Sequence, residues 1–207
     1  MKHGSSGRLV VSLFALAGLT AQGLAAQTQG VVAVDPTWLR IDSASRSAEF
    51  TLIAGLTPAN AGMNFNGATA GAVRFSVPVG WHVVLHFRNA DPNLPHSAEV
   101  IPADTALPTG AVPPVFVHAA TGQMVQGLPS GAHEDVRFIA EKAGAYLISC
   151  PVQGHGSLGM WIRFDVTPTI APPTVTAAKQ GAPQADRPAP AAAQGPLVVS
   201  PPPPHGS

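Results

Sequence analysis

Between about Val31 and Val166 the apolar residues recur at every second position, in short runs broken by Gly, Pro and Asn. That period puts alternate side chains on opposite faces of an extended strand. Ser47–Ile53 is one such run. Val73, Phe75 and Val77 share a face in a second, with Arg74 and Ser76 on the other. Val83, Leu85 and Phe87 oppose His82, Val84, His86 and Arg88 in a third. Val136 and Phe138, then Tyr146, Ile148 and Cys150, then Ile162, Phe164 and Val166 continue the pattern. The punctuation lies at Pro78-Val79-Gly80, from Asn89 to Pro95, and at Lys142-Ala143-Gly144. Short alternating strands with such breaks predict an antiparallel all-β sandwich or barrel. The segment from Pro102 to His133 carries no strand pattern and is long for a compact domain, which marks it as a functional or mobile loop.

The two ends read differently. Lys2 and Arg8 precede an apolar run from Leu9 to Leu19, and small residues follow at Gly23-Leu24-Ala25-Ala26. The run is short for a membrane span, so residues 1–26 read as an export signal cleaved near Ala25 or Ala26. The alternative is an uncleaved N-terminal anchor, attached to a membrane. From Thr167 onward the composition shifts: eleven of the 22 prolines lie between Pro168 and Pro204, among many alanines and no aromatic residue. Residues 167–207 are therefore expected to be a disordered Pro/Ala-rich tail, leaving residues 31–166 as the folded domain. The 11 basic and 11 acidic residues balance, so no electrostatic footprint for nucleic acid is present.

One cysteine occurs, Cys150. Exported proteins pair their cysteines, so a single one needs another role: metal ligand, reactive thiol or inert core residue. Its surroundings favour the first. In Ser149-Cys150-Pro151-Val152-Gln153-Gly154-His155-Gly156-Ser157-Leu158-Gly159-Met160 a strand ends, a glycine-rich loop follows, and another strand begins at Met160-Trp161-Ile162. Four residues separate Cys150 from His155 and four separate His155 from Met160. A thiolate, an imidazole and a thioether form a soft-leaning set suited to copper. A second imidazole must come from elsewhere, and His96, where a turn feeds a strand, is the candidate.

These residues carry a resemblance. The Cys-x4-His-x4-Met loop is similar to that of the rusticyanin and sulfocyanin branch of the cupredoxins. Phe65-Asn66-Gly67, Val77-Pro78-Val79-Gly80-Trp81, Leu94-Pro95-His96-Ser97, Cys150 to His155, and Gly159-Met160-Trp161 resemble sulfocyanin most. The likeness covers about Asn64 to Val166. It implies a cupredoxin-like Greek-key β-sandwich and one type 1 (blue) copper ion held by His96, Cys150, His155 and Met160. It further implies an electron carrier, not an enzyme, which the N-terminal signal would make exported, periplasmic or extracytoplasmic, or membrane-anchored if uncleaved. Such a carrier would be a monomer serving redox partner proteins such as a cytochrome or an oxidase. Ser97 is placed to hydrogen-bond backbone near the cysteine loop. Leu94, Pro95 and Leu158 would surround the site with an uncharged docking patch.

Other readings of the same residues are weaker. Copper oxidases place histidines directly beside the cysteine, whereas Ser149 and Pro151 flank Cys150. A binuclear copper centre needs a second cysteine. A copper chaperone or storage module, the second reading, is expected to show a methionine-rich site, and only four methionines occur. A cysteine hydrolase could pair Cys150 with His155, yet no nucleophile signature surrounds the thiol. His86 reads as a surface residue, and His82, His118 and His133 lack partners at metal spacing.

Overall fold

The computed structural model describes residues 32–104 and 106–177. Nine strands form two sheets, with no α-helix among the described residues. In chain order they are β1 (Leu39–Asp42), β2 (Ser47–Ala54), β3 (Val73–Pro78), β4 (His82–Asn89), β5 (Glu99–Pro102), β6 (His133–Ile139), β7 (Gly144–Ser149), β8 (Trp161–Thr167) and β9 (Thr174–Ala177). One sheet runs β1-β2-β4-β6 and the other β5-β7-β8-β3-β9. The chain changes sheet at most connections, as a Greek-key sandwich requires, and two pairs are parallel, β2 with β4 and β3 with β8. This is the all-β Greek-key sandwich expected, with these two parallel pairs where antiparallel pairing was predicted.

The alternation explains the layers. β2 buries Ala48, Phe50, Leu52 and Ala54 completely and leaves the residues between them half-exposed. β4 turns Val83, Leu85 and Phe87 inward. Aromatic side chains then bridge the sheets. Phe50 of β2 stacks on Phe75 of β3 with ring centroids 4.6 Å apart. Phe138 of β6 meets Phe164 of β8 edge-on at 5.8 Å. Such pairs add about 0.5–1.5 kcal/mol each beyond their burial.

The segment between β5 and β6 holds no strand among the described residues, yet it is tied down. Phe116 packs face to face with Phe138 at 5.6 Å and edge-on with Tyr146 at 4.9 Å. Val115 N–H donates to Val100 C=O, Val100 N–H to Ala119 C=O, and Thr121 N–H to Ala98 C=O. The loop thus bonds along the free edge of β5, an edge strand that would otherwise present unpaired backbone to solvent.

One boundary differs from the expectation. The tail expected from Thr167 begins later, because Thr174–Ala177 forms β9 and pairs antiparallel with β3, Val73 opposite Ala177 and Ser76 opposite Thr174. Pro172 and Pro173 lie just before this strand, where they remove no ladder donor, and Thr-Val-Thr-Ala has the alternation an edge strand needs. Residues 178–207 and the expected signal, residues 1–26, lie outside the described residues.

β9 covers the exposed side of β3 and packs Val175 and Ala177 against the core. A chain ended after Thr167 is expected to be less stable than one ended after Ala177 by roughly 1–3 kcal/mol, the burial of about one aliphatic side chain. Chemical denaturation of the two truncations measures the difference. Equal midpoints would show that β9 contributes nothing.

Candidate metal centre

β7 ends at Ser149, and Cys150 is the first residue beyond it. The loop then doubles back on itself. His155 N–H donates to Val152 C=O at 3.0 Å, Met160 N–H to His155 C=O at 3.0 Å, and Cys150 N–H to Met160 C=O at 3.0 Å. Three of the four expected ligand residues are therefore joined through their own backbone. Gly156 permits the fold-back: a Cβ there would lie 2.6 Å from Ser149 Oγ and 3.1 Å from the Cys150 carbonyl oxygen, too close for any other residue.

His96 arrives from the neighbouring strand. It lies three residues before β5, and β5 pairs antiparallel with β7, Glu99 opposite Ser149. A bridge to Leu128 holds its backbone: His96 N–H donates to Leu128 C=O at 3.2 Å, and Leu128 N–H returns a bond to His96 C=O at 2.8 Å. The side chains converge. His96 Nδ1 lies 3.2 Å from His155 Nδ1, and Cys150 Sγ lies 3.6 Å from the same nitrogen. Ligand atoms of all three residues lie within 4.8 Å of one another. Atoms bound to one ion at about 2.0–2.3 Å sit roughly 3.2–3.8 Å apart, so these spacings fit a shared metal.

Burial sets the charges of the donors. Cys150 is 2% exposed and His96 fully buried, while His155 is half-buried. Desolvation lowers the pKa of His96, opposed by the nearby Asp91 carboxylate. Desolvation also lowers that of His155, helped by its neighbour His96. Both imidazoles are thus held neutral, the form that binds metal. Burial pushes the Cys150 thiol up to about 11, against the Ser97 and Val152 amides and the Ser97 hydroxyl, which favour the thiolate. Without a metal this sulfur is an enclosed thiol whose burial disfavours the thiolate, unlike the exposed, low-pKa thiol of a nucleophile. A soft cation is what such a site needs to ionise it. Two neutral imidazoles and one sulfur, enclosed, match one type 1 copper ion.

Asp91 is a residue the sequence reading missed. His96 Nε2 lies 3.3 Å from its Oδ2. Its Oδ1 accepts from the Asn93 and Leu94 amides at 2.8 and 3.0 Å, and its own amide donates to Asn89 Oδ1 at 3.0 Å. Burial would raise this carboxyl, but the Asn93 and Leu94 amides and His96 outweigh it and hold it below the usual range. Gly62, at φ +86°, presses directly on Oδ2 where a Cβ would not fit. A carboxylate on Nε2–H fixes the ring so that Nδ1 is free for metal. The sequence carried one signal for it, an Asx-rich break five residues before the histidine.

The remaining expected residues fall as follows. Met160 is fully buried and bonded through its backbone to both Cys150 and His155. The Ser97 hydroxyl donates to Met124 C=O at 2.7 Å on the β5–β6 loop and also lies by the Cys150 sulfur, where it favours the thiolate. Leu158 is 61% exposed, Pro95 exposed and Leu94 half-buried. His86 is a surface residue, 2.7 Å from Asp135 through Nδ1.

Asp91→Asn preserves an oxygen for the Asn93 and Leu94 amides but turns an N–H donor toward His96. The ring must then give up its Nε2 proton to Nδ1, where metal binds. Copper affinity is expected to fall roughly 10–100-fold, and the midpoint potential to rise as the histidine becomes a poorer donor to Cu(II). Competition titration and spectroelectrochemistry check both. An unchanged affinity and potential would make Asp91 a loop cap only.

The geometry has relatives. The family model for the sulfocyanin (SoxE) domain matches residues 36–177. The chain is 26% identical over 117 residues to sulfocyanin of Sulfolobus acidocaldarius, covering 53% of this chain and 58% of that protein. Among solved structures, auracyanin from Roseiflexus castenholzii is 19% identical with a TM-score of 0.41, over 58% of this chain and 97% of auracyanin. Rusticyanin from Thiobacillus ferrooxidans is 18% identical with a TM-score of 0.41, over 63% of this chain and 86% of rusticyanin.

Proposed function

We propose, from the premise that the chain belongs to the sulfocyanin family, that it is an exported blue copper protein carrying single electrons between redox partners. The observation that carries this reading is the enclosed convergence of Cys150 Sγ with the Nδ1 atoms of His96 and His155. Copper, when bound, supplies the one-electron couple between Cu(II) and Cu(I).

The chain's own residues do the rest. Electron transfer is fast when the ligand cage changes little between oxidation states. Here the cage hangs from β5 and β7, which are paired to each other, so neither end moves alone. Asp91 fixes the His96 ring from behind. Pro151 and Met160 are buried and exclude water from the sulfur side. Met160 is assigned the weak axial position, in which a thioether favours Cu(I) and raises the potential. An enclosed sulfur and imidazole also argue against a chaperone, whose site must hand its ion to another protein.

Electrons enter and leave beside His155, whose half-exposed ring reaches the surface on a loop without charged residues. Leu158, Pro95 and Leu94 lie on the two ligand loops and form an uncharged docking patch for a cytochrome or oxidase. Small contacts suffice for such transient encounters. The signal-like pattern of residues 1–26 supports the export part of this reading. No helix among the described residues is long and apolar enough to cross a membrane.

Two outcomes test this reading. The copper-loaded protein is expected to be intensely blue or green and Cys150→Ser colourless, because the band requires a copper–sulfur bond. Met160→Gln is expected to keep copper and lower the midpoint potential. A coloured Cys150→Ser protein, or a colourless wild type, would defeat the assignment.

Leu158→Lys addresses the docking patch. Spectrum and copper content are expected to survive, while electron self-exchange slows roughly tenfold at low salt because two like patches bring like charges together. An unchanged rate would move the docking surface elsewhere.

A further inference from the structure

β5 opens with a carboxylate where the fold gives it almost nothing. Glu99 is 1% exposed. Its Oε2 accepts one bond, from Val112 N–H at 3.1 Å on the covering loop. Its Oε1 has no partner and is the one buried side-chain oxygen or nitrogen so placed among the described residues. Buried carboxylates persist because something stabilises them, and an orphaned oxygen calls for an explanation.

No Lys or Arg occurs on β5, on β7 or in residues 103–132, the three segments packed around Glu99. Their other titratable groups are Asp104, His118 and Tyr146, with Cys150 and His155 on the loop following β7 and His96 preceding β5. Asp104 is an acid, His118 is exposed on the covering loop, and His96 faces the Asp91 carboxylate. A copper ion held by Cys150 would bring a positive charge to this side of the fold. Glu99 stands opposite Ser149 in the β5–β7 pairing, so Cys150 is the next residue along the facing strand. The carboxylate's charge already reaches the sulfur and is among the forces that raise the Cys150 thiol.

We propose that Glu99 is a proton-binding site coupled to the metal centre, so that the protein takes up a proton with its electron and releases it on oxidation. The inference rests on the copper reading above. Cu(II) with one thiolate carries a net charge of +1, and Cu(I) with one thiolate carries none. The oxidised centre therefore stabilises the Glu99 carboxylate and the reduced centre does not. On reduction one electron arrives from the redox partner and one proton from solvent; Cu(II) becomes Cu(I) and the Glu99 carboxylate becomes a carboxylic acid. Oxidation reverses both.

Burial raises Glu99 to about 7, with the Val112 amide opposing, which places the exchange in an accessible pH range. A group that is protonated more readily in the reduced state makes the midpoint potential fall as pH rises. The fall runs from the acid constant of the oxidised protein to that of the reduced protein and is flat on either side. Each tenfold difference between those constants lowers the potential by about 59 mV. A tenfold difference is expected here.

The test is the midpoint potential of the copper-loaded full chain from pH 5 to 9, wild type against Glu99→Gln. The wild type is expected to show one downward step and Glu99→Gln none, with the blue spectrum kept. Infrared difference spectra of the wild type are expected to gain, on reduction, a protonated-carboxyl band that shifts in heavy water. A flat wild-type profile, or a step that persists in Glu99→Gln, would overturn the proposal. Should Glu99→Gln fail to hold copper, the wild-type infrared spectrum decides alone, its missing carboxyl band being the overturning result. A blue protein with a flat profile defeats only Glu99, whereas a colourless loaded protein defeats the copper reading.

Discussion

The antiparallel pairing of β5 with β7 brings a sulfur and an imidazole that are distant in sequence to the same end of the sandwich. Neither strand would hold its position alone, because β5 is short and lies at the sheet edge. The β5–β6 loop supplies the missing edge contacts and buries His96, Ser97 and Glu99 beneath it. A long irregular segment is thus part of the metal centre without contributing a ligand. Its ordering depends in turn on Phe116, which plugs between Phe138 and Tyr146. Core packing and site geometry are consequently linked: the aromatic cluster that joins the sheets also fixes the lid over the first histidine.

Much of this was legible in the sequence for physical reasons. Strand faces follow from a period-two pattern that local backbone geometry imposes, so β2, β3, β4 and β8 could be read residue by residue. The late ligands were legible because one loop carries them at fixed spacing. His96 was found through its flanking residues. Other features depend on tertiary contact. Nothing in Asp91 by itself distinguishes it from a turn residue; its role exists only because Nε2 of His96 faces it. Glu99 reads as the start of a strand, and its isolation comes from a loop folding over it. The bond from the Ser97 hydroxyl to the Met124 carbonyl likewise exists only because the β5–β6 loop folds over β5. β9 was hidden by composition, since four strand residues sit within a Pro- and Ala-rich stretch.

The described site also shows how a nearly neutral protein controls charge. Few charged residues surround the centre, so each one acts with little screening in a low-dielectric region. Desolvation acts on every donor in the same sense, toward neutral imidazole and neutral thiol. A metal entering this cage therefore meets no competing charge until it ionises the sulfur itself. The Ser97 and Val152 amides near that sulfur then become the hydrogen bonds that moderate its electron donation.

Two buried carboxylates flank this cage and are treated in opposite ways. Asp91 receives two amides and an imidazole, enough to outweigh burial, and stays ionised as a fixed brace for His96. Glu99 receives one amide, too little to outweigh burial, and its ionisation is left to depend on what else is charged nearby. Residues of the same chemistry, placed in environments that push their pKa values apart, take different roles. A group with a full set of donors cannot respond to the metal, because its state is already decided. A group left one oxygen short can respond. The number of hydrogen bonds given to each carboxylate thus separates a structural anion from one free to follow the charge of the site.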